Sequence, residues 1–158
     1  MKDLLFLDDF RTPKLVPQYD YATASKAPFY KEELWDVVCN HDEFVSYIEE
    51  YYEHKKKLPE LISFDHDLAD EHYSDKMFID ADKYNGYYEN KFVEKTGYDS
   101  AKWLADFCMD NNLELPRFLV HSQNPVGKEN IEKFLENFRL FQKKINRTIY
   151  RRKLTHTL

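Results

Sequence analysis

Four short apolar runs along the chain have the length of buried β-strands. They occupy residues 4–7, 34–39, 61–64 and 118–120. Continuous runs of this kind, apolar without alternation, are typical of parallel strands that are covered on both faces. The pattern therefore predicts a parallel sheet of about four strands.

Three amphipathic helices are predicted between and after these strands. The first covers residues 41–56, where apolar side chains recur at helical spacing. The second and third begin at Thr96 and Asn124, which are residue types that cap helix N-termini. Pro125 then occupies the first helical position, where a proline is well tolerated. Strands and helices thus alternate, as they do in α/β proteins with a parallel sheet.

This alternation predicts one α/β domain over residues 1–142. Right-handed crossover connections would place helices on both faces of the sheet. Residues 68–95 are acidic and rich in tyrosine with weak periodicity, so we expect them to form an inserted flap. Residues 143–158 are predicted to form a basic C-terminal tail.

The charge of the chain is unevenly distributed. Residues 143–158 contain six lysines and arginines and no acidic residue, so they contribute +6 to a net charge of −6. The rest of the chain therefore contributes −12. A basic tail on an acidic domain could contact nucleic acid or an acidic protein partner, fold back onto its own domain, or stay solvated.

Hydropathy and cysteine usage predict a cytoplasmic protein with no membrane association. No apolar run approaches the roughly 18 residues that a membrane-spanning helix requires. The short apolar stretch at the N-terminus meets Asp8 and Asp9 at once, so it does not resemble a signal peptide. Cys39 and Cys108 lie in apolar patterns and are expected to be reduced thiols in the core.

Acidic residues follow the first and third predicted strands. Asp8 and Asp9 come directly after the first strand, and Asp65 directly after the third. Carboxyl ends of parallel strands meet at one edge of a sheet, where α/β proteins bind ligands. Carboxylates grouped without thiolates suit a hard cation, so we predict a site for Mg²⁺, Mn²⁺ or Ca²⁺. The alternative is that these carboxylates cap helices or form ion pairs, for example with Arg11.

Two histidines lie beside these carboxylates in the predicted sheet. His66 and Asp67 follow Asp65, and His121 follows the fourth strand. Histidine titrates near neutral pH, so His66 and His121 are predicted to act as general acid or base. The alternative is that each histidine is a hydrogen-bonded structural residue at a strand end. The other four histidines lack such a setting and are assigned no role: His41, His54, His72 and His156.

The start of the third helix is a candidate anion-binding site. Helix N-termini present free backbone amides to phosphate, and Gly127 would permit close approach of the backbone. The predicted substrate-binding residues include Ser122, Asn124, Gly127 and Lys128, together with Arg11 beside the acidic pair.

Four segments together resemble a known family. The segments LFLDDFRTP, ISFDHDL, TGYDSAKWL and RFLVHSQNPVGKENI are similar to the cyclic-phosphate processing receiver-like domain. This family is a divergent branch of the response-regulator receiver fold found in bacteria and their phages. The resemblance covers residues 3 to about 138 and implies a three-layer, receiver- or flavodoxin-like fold. The flap and the basic tail lie outside these motifs.

The resemblance also implies a metal site. Receiver domains place an acidic pair after the first strand, a phosphoacceptor aspartate after the third, and a serine or threonine after the fourth. Asp8 with Asp9, Asp65 and Ser122 match these positions and imply Mg²⁺ between the acidic pair and Asp65. Receivers also use a lysine after a fifth strand, for which the sequence has no convincing counterpart, so phosphorelay signalling is disfavoured.

The function implied by the resemblance is metal-dependent hydrolysis of a cyclic phosphate, in a cyclic nucleotide or at an RNA 2′,3′-cyclic phosphate end. His66 or Asp67 would activate a water, and His121 would protonate the leaving ribose oxygen. Alternatively, Asp65 is itself the nucleophile. The main alternative function is a non-catalytic module that binds a nucleotide or a partner protein.

Two other phosphatase classes match the sequence less well. Haloacid-dehalogenase-type phosphatases use an Asp-x-Asp pair after a strand, as in Asp65 and Asp67, but they expect a threonine after Leu68 and leave Asp8 and Asp9 unexplained. Two-histidine phosphoesterases need paired H-x-[ST] elements. Neither His66 nor His121 begins such an element.

Overall fold

The computed structural model describes residues 1–19, 30–68 and 95–155. The strands are β1 Leu4–Leu7, β2 Trp35–Val38, β3 Leu61–Phe64 and β4 Arg117–Val120. The α-helices are α1 Val16–Tyr19, α2 His41–Lys55, α3 Gly97–Asp110 and α4 Pro125–Thr155. Two 3₁₀ turns, Pro13–Leu15 and Glu32–Leu34, precede α1 and β2.

The four strands form one parallel sheet in the order β2-β1-β3-β4. Leu7 pairs in register with Val38 on one side and with Phe64 on the other, and Phe64 pairs with Val120. All four strands therefore end at the same edge. The predicted α/β fold with a four-stranded parallel sheet is confirmed, and within the described residues no fifth strand follows β4.

The main core lies between one face of the sheet and the three long helices. Leu5, Leu7, Ile62 and Phe64 point to this face and are fully buried. The helices contribute the following buried side chains: Phe44, Ile48, Ala101, Leu104, Cys108, Ile131 and Leu135. Burial of the leucine, isoleucine and phenylalanine side chains contributes about 1.5–3 kcal/mol each, which explains why the helical periodicity identified these helices correctly.

The opposite face of the sheet is covered by shorter segments. Phe6, Trp35 and Leu61 form a second apolar cluster with Val16 of α1 and with Tyr30. Helices therefore lie on both faces, as predicted, but all three long helices share one face. The reason is that β2→β3 and β3→β4 advance in the same direction across the sheet, so right-handed crossovers place α2 and α3 on the same side.

The helix starts follow the predicted capping patterns. Asn40 accepts a hydrogen bond from the Glu43 amide at 2.8 Å, and α2 ends one residue earlier than predicted, at Lys55. Thr96 and Asp99 form a complete capping box at α3. The second strand is shorter than predicted, because Leu34 belongs to a 3₁₀ turn.

Two sequence predictions need correction or lie outside the described residues. Cys108 is buried as expected, but the prediction for Cys39 was wrong because it lies beyond the end of β2 and is exposed. The predicted flap lies outside the described residues at positions 69–94.

Helix α4 continues through Thr155, so the described part of the basic tail is an extension of this helix. None of the described helices combines the length and apolarity needed to cross a membrane.

Candidate metal and phosphate site

The ends of three neighbouring strands bring Asp8, Asp65 and His121 to one edge of the sheet. The backbone amide of each residue donates to the last carbonyl of an adjacent strand, at 3.1, 2.9 and 2.9 Å respectively. All three residues therefore continue the sheet in register by one position. One carboxylate oxygen from each of Asp8, Asp9 and Asp65 lies within 4.8 Å of the others. The predicted acidic cluster is thus present in the fold.

Asp8 is buried, and both of its carboxylate oxygens accept hydrogen bonds from neighbouring residues. Its Oδ1 accepts from the backbone amides of Phe10 and Arg11, and its Oδ2 accepts from Arg11 Nε at 2.8 Å and His121 Nε2 at 3.0 Å. Burial alone would raise the pKa of Asp8, but the hydrogen bonds from His121 and Arg11 and the positive charge of Arg11 outweigh it and lower the pKa. Asp8 is therefore a carboxylate at neutral pH.

Arg11 joins the two buried carboxylates. Its guanidinium contacts Asp8 through Nε and Asp65 Oδ1 through Nη2, the latter at 2.7 Å, and its Nη1 donates to the His121 carbonyl at 3.3 Å. Asp65 Oδ1 is buried, and within the described residues it has no well-aligned hydrogen-bond donor besides this ionic contact. Of the two possibilities for Arg11, ion pairing and substrate binding, the structure places it in the ion pairs.

The charge and chemistry of the cluster suit a divalent cation. Asp8, Asp9 and Asp65 bring three formal negative charges to the cluster, and Arg11 brings one positive charge, so the formal charge of the group is −2. Oxygen ligands of this type suit hard divalent cations such as Mg²⁺, Mn²⁺ or Ca²⁺. Asp9 is partly exposed, so the cluster has one side open to solvent.

His121 is buried beneath the cluster. Its ring stacks on Phe6 with the centroids 4.3 Å apart, and its side chain is fully enclosed. Burial lowers the pKa of His121 more than the neighbouring Asp8 carboxylate raises it, so the imidazole is neutral. Nε2 then donates to Asp8, and Nδ1 accepts from Ser63 Oγ at 2.7 Å. With both nitrogens occupied, His121 positions Asp8 in this arrangement instead of reaching a leaving group.

His66 and Asp67 form a more accessible pair beside the cluster. His66 Nδ1 lies 2.7 Å from Asp67 Oδ1, and the two side chains are 19% and 17% exposed. Asn124 Nδ2 makes a longer contact with the same Asp67 oxygen, at 3.4 Å. Because Asp67 occupies Nδ1, any proton transfer by His66 falls to Nε2.

Two glycines allow this edge to pack closely. A Cβ on Gly127 would lie 2.2 Å from the ring of His66, and one on Gly97 would lie 1.7 Å from the carbonyl oxygen of Asp65. Both distances are far below van der Waals contact. Gly97 also donates its amide to the His66 carbonyl at 2.8 Å. The glycines thus bring the starts of α3 and α4 against the segment that follows β3.

The start of α4 differs from the predicted anion-binding site, because the backbone amide of Gly127 is not free. The amide of Gly127 donates to Asn124 Oδ1 at 2.9 Å, so Asn124 caps this helix. The amide of Asn124 donates to Ser122 Oγ at 3.1 Å. Because the Gly127 amide is already bonded, Ser122 and Lys128 are the better candidates for phosphate contacts among the predicted substrate residues.

Several residues at this edge were not predicted from the sequence. Ser63 lies between His121 and Tyr30, whose hydroxyl is 3.1 Å from Ser63 Oγ. His41, which had been assigned no role, bonds Ser100 through Nδ1 at 3.0 Å. A signal for Ser63 was present in the sequence, because it is the single polar residue within the third apolar run.

Comparison with known families identifies a single domain over most of the chain. The family model described as the cyclic-phosphate processing receiver domain matches residues 4–137. No curated protein and no solved structure matches the chain.

Proposed function

Because the chain belongs to the cyclic-phosphate processing receiver domain family, we propose that it is a metal-dependent phosphoesterase. Its substrate would be a cyclic phosphate, in a cyclic nucleotide or at an RNA 2′,3′-cyclic phosphate end. The observation on which the proposal rests is the carboxylate cluster of Asp8, Asp9 and Asp65, whose ligand oxygens lie within 4.8 Å of one another.

The cluster would hold Mg²⁺ or Mn²⁺, which would supply Lewis-acid stabilisation of the phosphate and a more acidic bound water. Arg11 contacts the carboxylates of both Asp8 and Asp65 and so holds them in fixed positions relative to each other. His121 donates a hydrogen bond from Nε2 to Asp8 and so fixes the orientation of this carboxylate. These two residues therefore prepare the ligand geometry before any cation binds.

His66 is the proposed general base. Its Nδ1 hydrogen is directed to Asp67, which leaves an Nε2 lone pair to accept a proton from the attacking water. The oxygen of that water bonds to phosphorus and one ribose P–O bond breaks. The ribose oxygen takes a proton from solvent, and His66 returns to solvent the proton that it removed from the water, which gives a phosphomonoester. Ser122 Oγ accepts from the backbone, so its hydroxyl hydrogen can donate to a phosphoryl oxygen. Direct attack by Asp65 is the alternative route.

The test is turnover by the purified chain with Mg²⁺ or Mn²⁺. The substrates are 2′,3′- and 3′,5′-cyclic nucleotides and RNA with a cyclic-phosphate end. We expect a phosphomonoester product from at least one of them, and loss of turnover in Asp65→Asn. The matched control is Asp106→Asn, an exposed aspartate on α3. Absence of turnover of every substrate while metal is bound would exclude the hydrolase.

One observation favours the non-catalytic alternative, a module that binds a nucleotide or a partner protein. Arg11 already balances part of the charge of Asp8 and Asp65, so these residues can be stable without a cation. For such a module, Asp65→Asn would change ligand affinity at most, and no product would form with either protein.

A further inference from the structure

Positive charge is concentrated in the C-terminal part of α4. We call the following residues the basic segment: Lys143, Lys144, Arg147, Arg151, Arg152 and Lys153. The helix is continuous through all of them. No acidic residue follows Glu136 in the sequence, so no carboxylate from the end of the same helix offsets this charge.

Three of these cations surround one depression in the protein surface. Among the described residues, its lining comprises Leu140, Lys143, Lys144, Arg147 and Thr148. Lys143 and Arg147 are four residues apart and thus neighbours on one helix face, where like charges repel and destabilise the helix. A bound anion would remove this repulsion. Leu140 is 63% exposed and offers an apolar contact beside the cations.

We propose that the basic segment binds the phosphate backbone of an RNA strand whose cyclic phosphate end lies at the carboxylate cluster. This inference rests on the proposed function, and it selects the RNA end over a free cyclic nucleotide as substrate. Helix α4 links the two places, because its first turn places Gly127 against His66 and the helix continues into the basic segment.

The length of α4 sets the length of RNA required. At a rise of 1.5 Å per residue, Lys143 lies about 24 Å and Lys153 about 39 Å along the helix from Gly127. At the stacked spacing of about 3.4 Å per nucleotide, this corresponds to roughly 7 and 11 nucleotides from the reacting end. Short RNAs would therefore contact only the carboxylate cluster, and longer RNAs would contact the basic segment as well.

An RNA strand explains more of the structure than an acidic protein does. A polynucleotide has a regular line of phosphates and can end in the cyclic phosphate itself, so one molecule occupies both the cluster and the basic segment. An acidic protein would satisfy only the basic segment. Backbone binding of this kind is independent of base sequence and strongly dependent on salt.

The test measures binding of 5′-labelled RNA by fluorescence anisotropy with the full chain. The RNAs end in an ordinary 3′-phosphate, so no turnover is required, and have lengths of about 4, 8, 12 and 16 nucleotides to bracket the calculated reach. The variant is Lys143→Gln/Lys144→Gln/Arg147→Gln. The control is Lys31→Gln/Lys55→Gln/Lys57→Gln, which removes the same charge from exposed positions outside α4.

We expect affinity to rise between about 4 and 12 nucleotides and to fall by on the order of tenfold in the variant at low salt. The slope of log K against log salt should decrease by about 2, since each lost phosphate contact accounts for about 0.7. The control should bind like the parent protein. Equal loss in both triple variants, no dependence on length, or equally tight binding of polyglutamate would each overturn the proposal.

Failure of the proposed RNA contact with the basic segment is distinguishable from failure of the proposed phosphoesterase function. Length-dependent RNA binding without hydrolysis would leave the basic segment as an RNA site and remove the phosphoesterase. Hydrolysis of cyclic mononucleotides and cyclic-phosphate RNA at equal kcat/KM for every length would confirm the phosphoesterase and contradict the role of the basic segment.

Discussion

His121 Nε2 lies 3.0 Å from Asp8 Oδ2, and both side chains are buried. The neutral imidazole donates this hydrogen bond, so its Nδ1 must accept from Ser63, and Ser63 Oγ must in turn accept from Tyr30. The hydrogen bonds therefore have one direction, from Tyr30 to Asp8. Partners of this kind fix the orientation of a ligand residue and typically change metal affinity by about 10–100-fold.

Ser63→Ala should weaken Mn²⁺ binding by about tenfold, because it removes the donor to His121 Nδ1. The measurement is the free Mn²⁺ signal in an EPR titration. Ser100→Ala is the matched control, since Ser100 is also buried and bonded to a histidine Nδ1 but does not contact the cluster. If both variants bind Mn²⁺ like the parent protein, the chain from Tyr30 has no role in positioning Asp8.

Arg11→Gln should make stability depend on a divalent cation. Removing one partner of a buried ion pair costs about 3–5 kcal/mol, because the other charge is left uncompensated. A bound cation would replace the lost charge, so Mg²⁺ should restore more free energy of unfolding to the variant than it adds to the parent protein. Urea unfolding in EDTA and in Mg²⁺ measures this difference.

The control for this experiment is Arg139→Gln, which removes an arginine that contacts Pro116 and Phe118 away from the cluster. Its destabilisation should be the same with and without Mg²⁺. An equal Mg²⁺ effect on Arg11→Gln and on the parent protein would show that Arg11 and the cation do not share the same carboxylates.

Gly127→Ala should impair turnover, because the new Cβ would lie 2.2 Å from the His66 ring and displace it. A shift of about 1 Å in a catalytic group can reduce the rate by on the order of a hundredfold. Helix propensity alone would make the variant more stable, so a simple loss of folding is not the expected cause. The measurements are kcat and the NMR resonances of His66, with Glu129→Ala as control. If Gly127→Ala left both kcat and the His66 resonances unchanged, that result would contradict a role for His66 as base.

Asp99→Asn should destabilise the protein by about 1 kcal/mol at neutral pH, as expected for loss of a charged helix cap that is partly exposed. Burial raises the pKa of Asp99, but bonds to Lys102 and Thr96 outweigh it and lower the pKa to about 2. The stabilisation is therefore present above the unfolded-state pKa of 3.8 and is lost as the pH falls toward 2.

Urea unfolding of both proteins across this pH range measures the effect. The difference between Asp99→Asn and the parent protein should disappear as the pH falls below about 2. Asp106→Asn on the exposed side of the same helix should remain close to the parent protein throughout. A difference that stays constant with pH would show that the charge of Asp99 does not stabilise α3.

The fold and the location of the site were predictable because they depend on local patterns. Apolar runs identified the four strands, and capping residues such as Asn40 and Thr96 marked the helix starts within a residue. Parallel strands must end at a common edge, so the convergence of Asp8 and Asp65 followed from topology alone. Strand length and the end of α2 were less accurate, because helix and strand ends depend on tertiary contacts.

Side-chain partners within the site were not predictable from the sequence. Arg11 could bind phosphate or carboxylate, and only the three-dimensional arrangement places it between Asp8 and Asp65. His121 follows a strand as a catalytic histidine would, but its ring turns toward Phe6 and Ser63 on the second face of the sheet. Such choices depend on long-range packing, which a single sequence does not specify.

The most direct test of the metal site is the anomalous scattering of Mn²⁺ in crystals of the full chain. We expect one strong peak about 2.0–2.3 Å from carboxylate oxygens of Asp8, Asp9 and Asp65, and its loss in Asp65→Asn crystals. A Mn²⁺ peak at another position, or none at saturating Mn²⁺ with Arg11 still bridging Asp8 and Asp65, would contradict it.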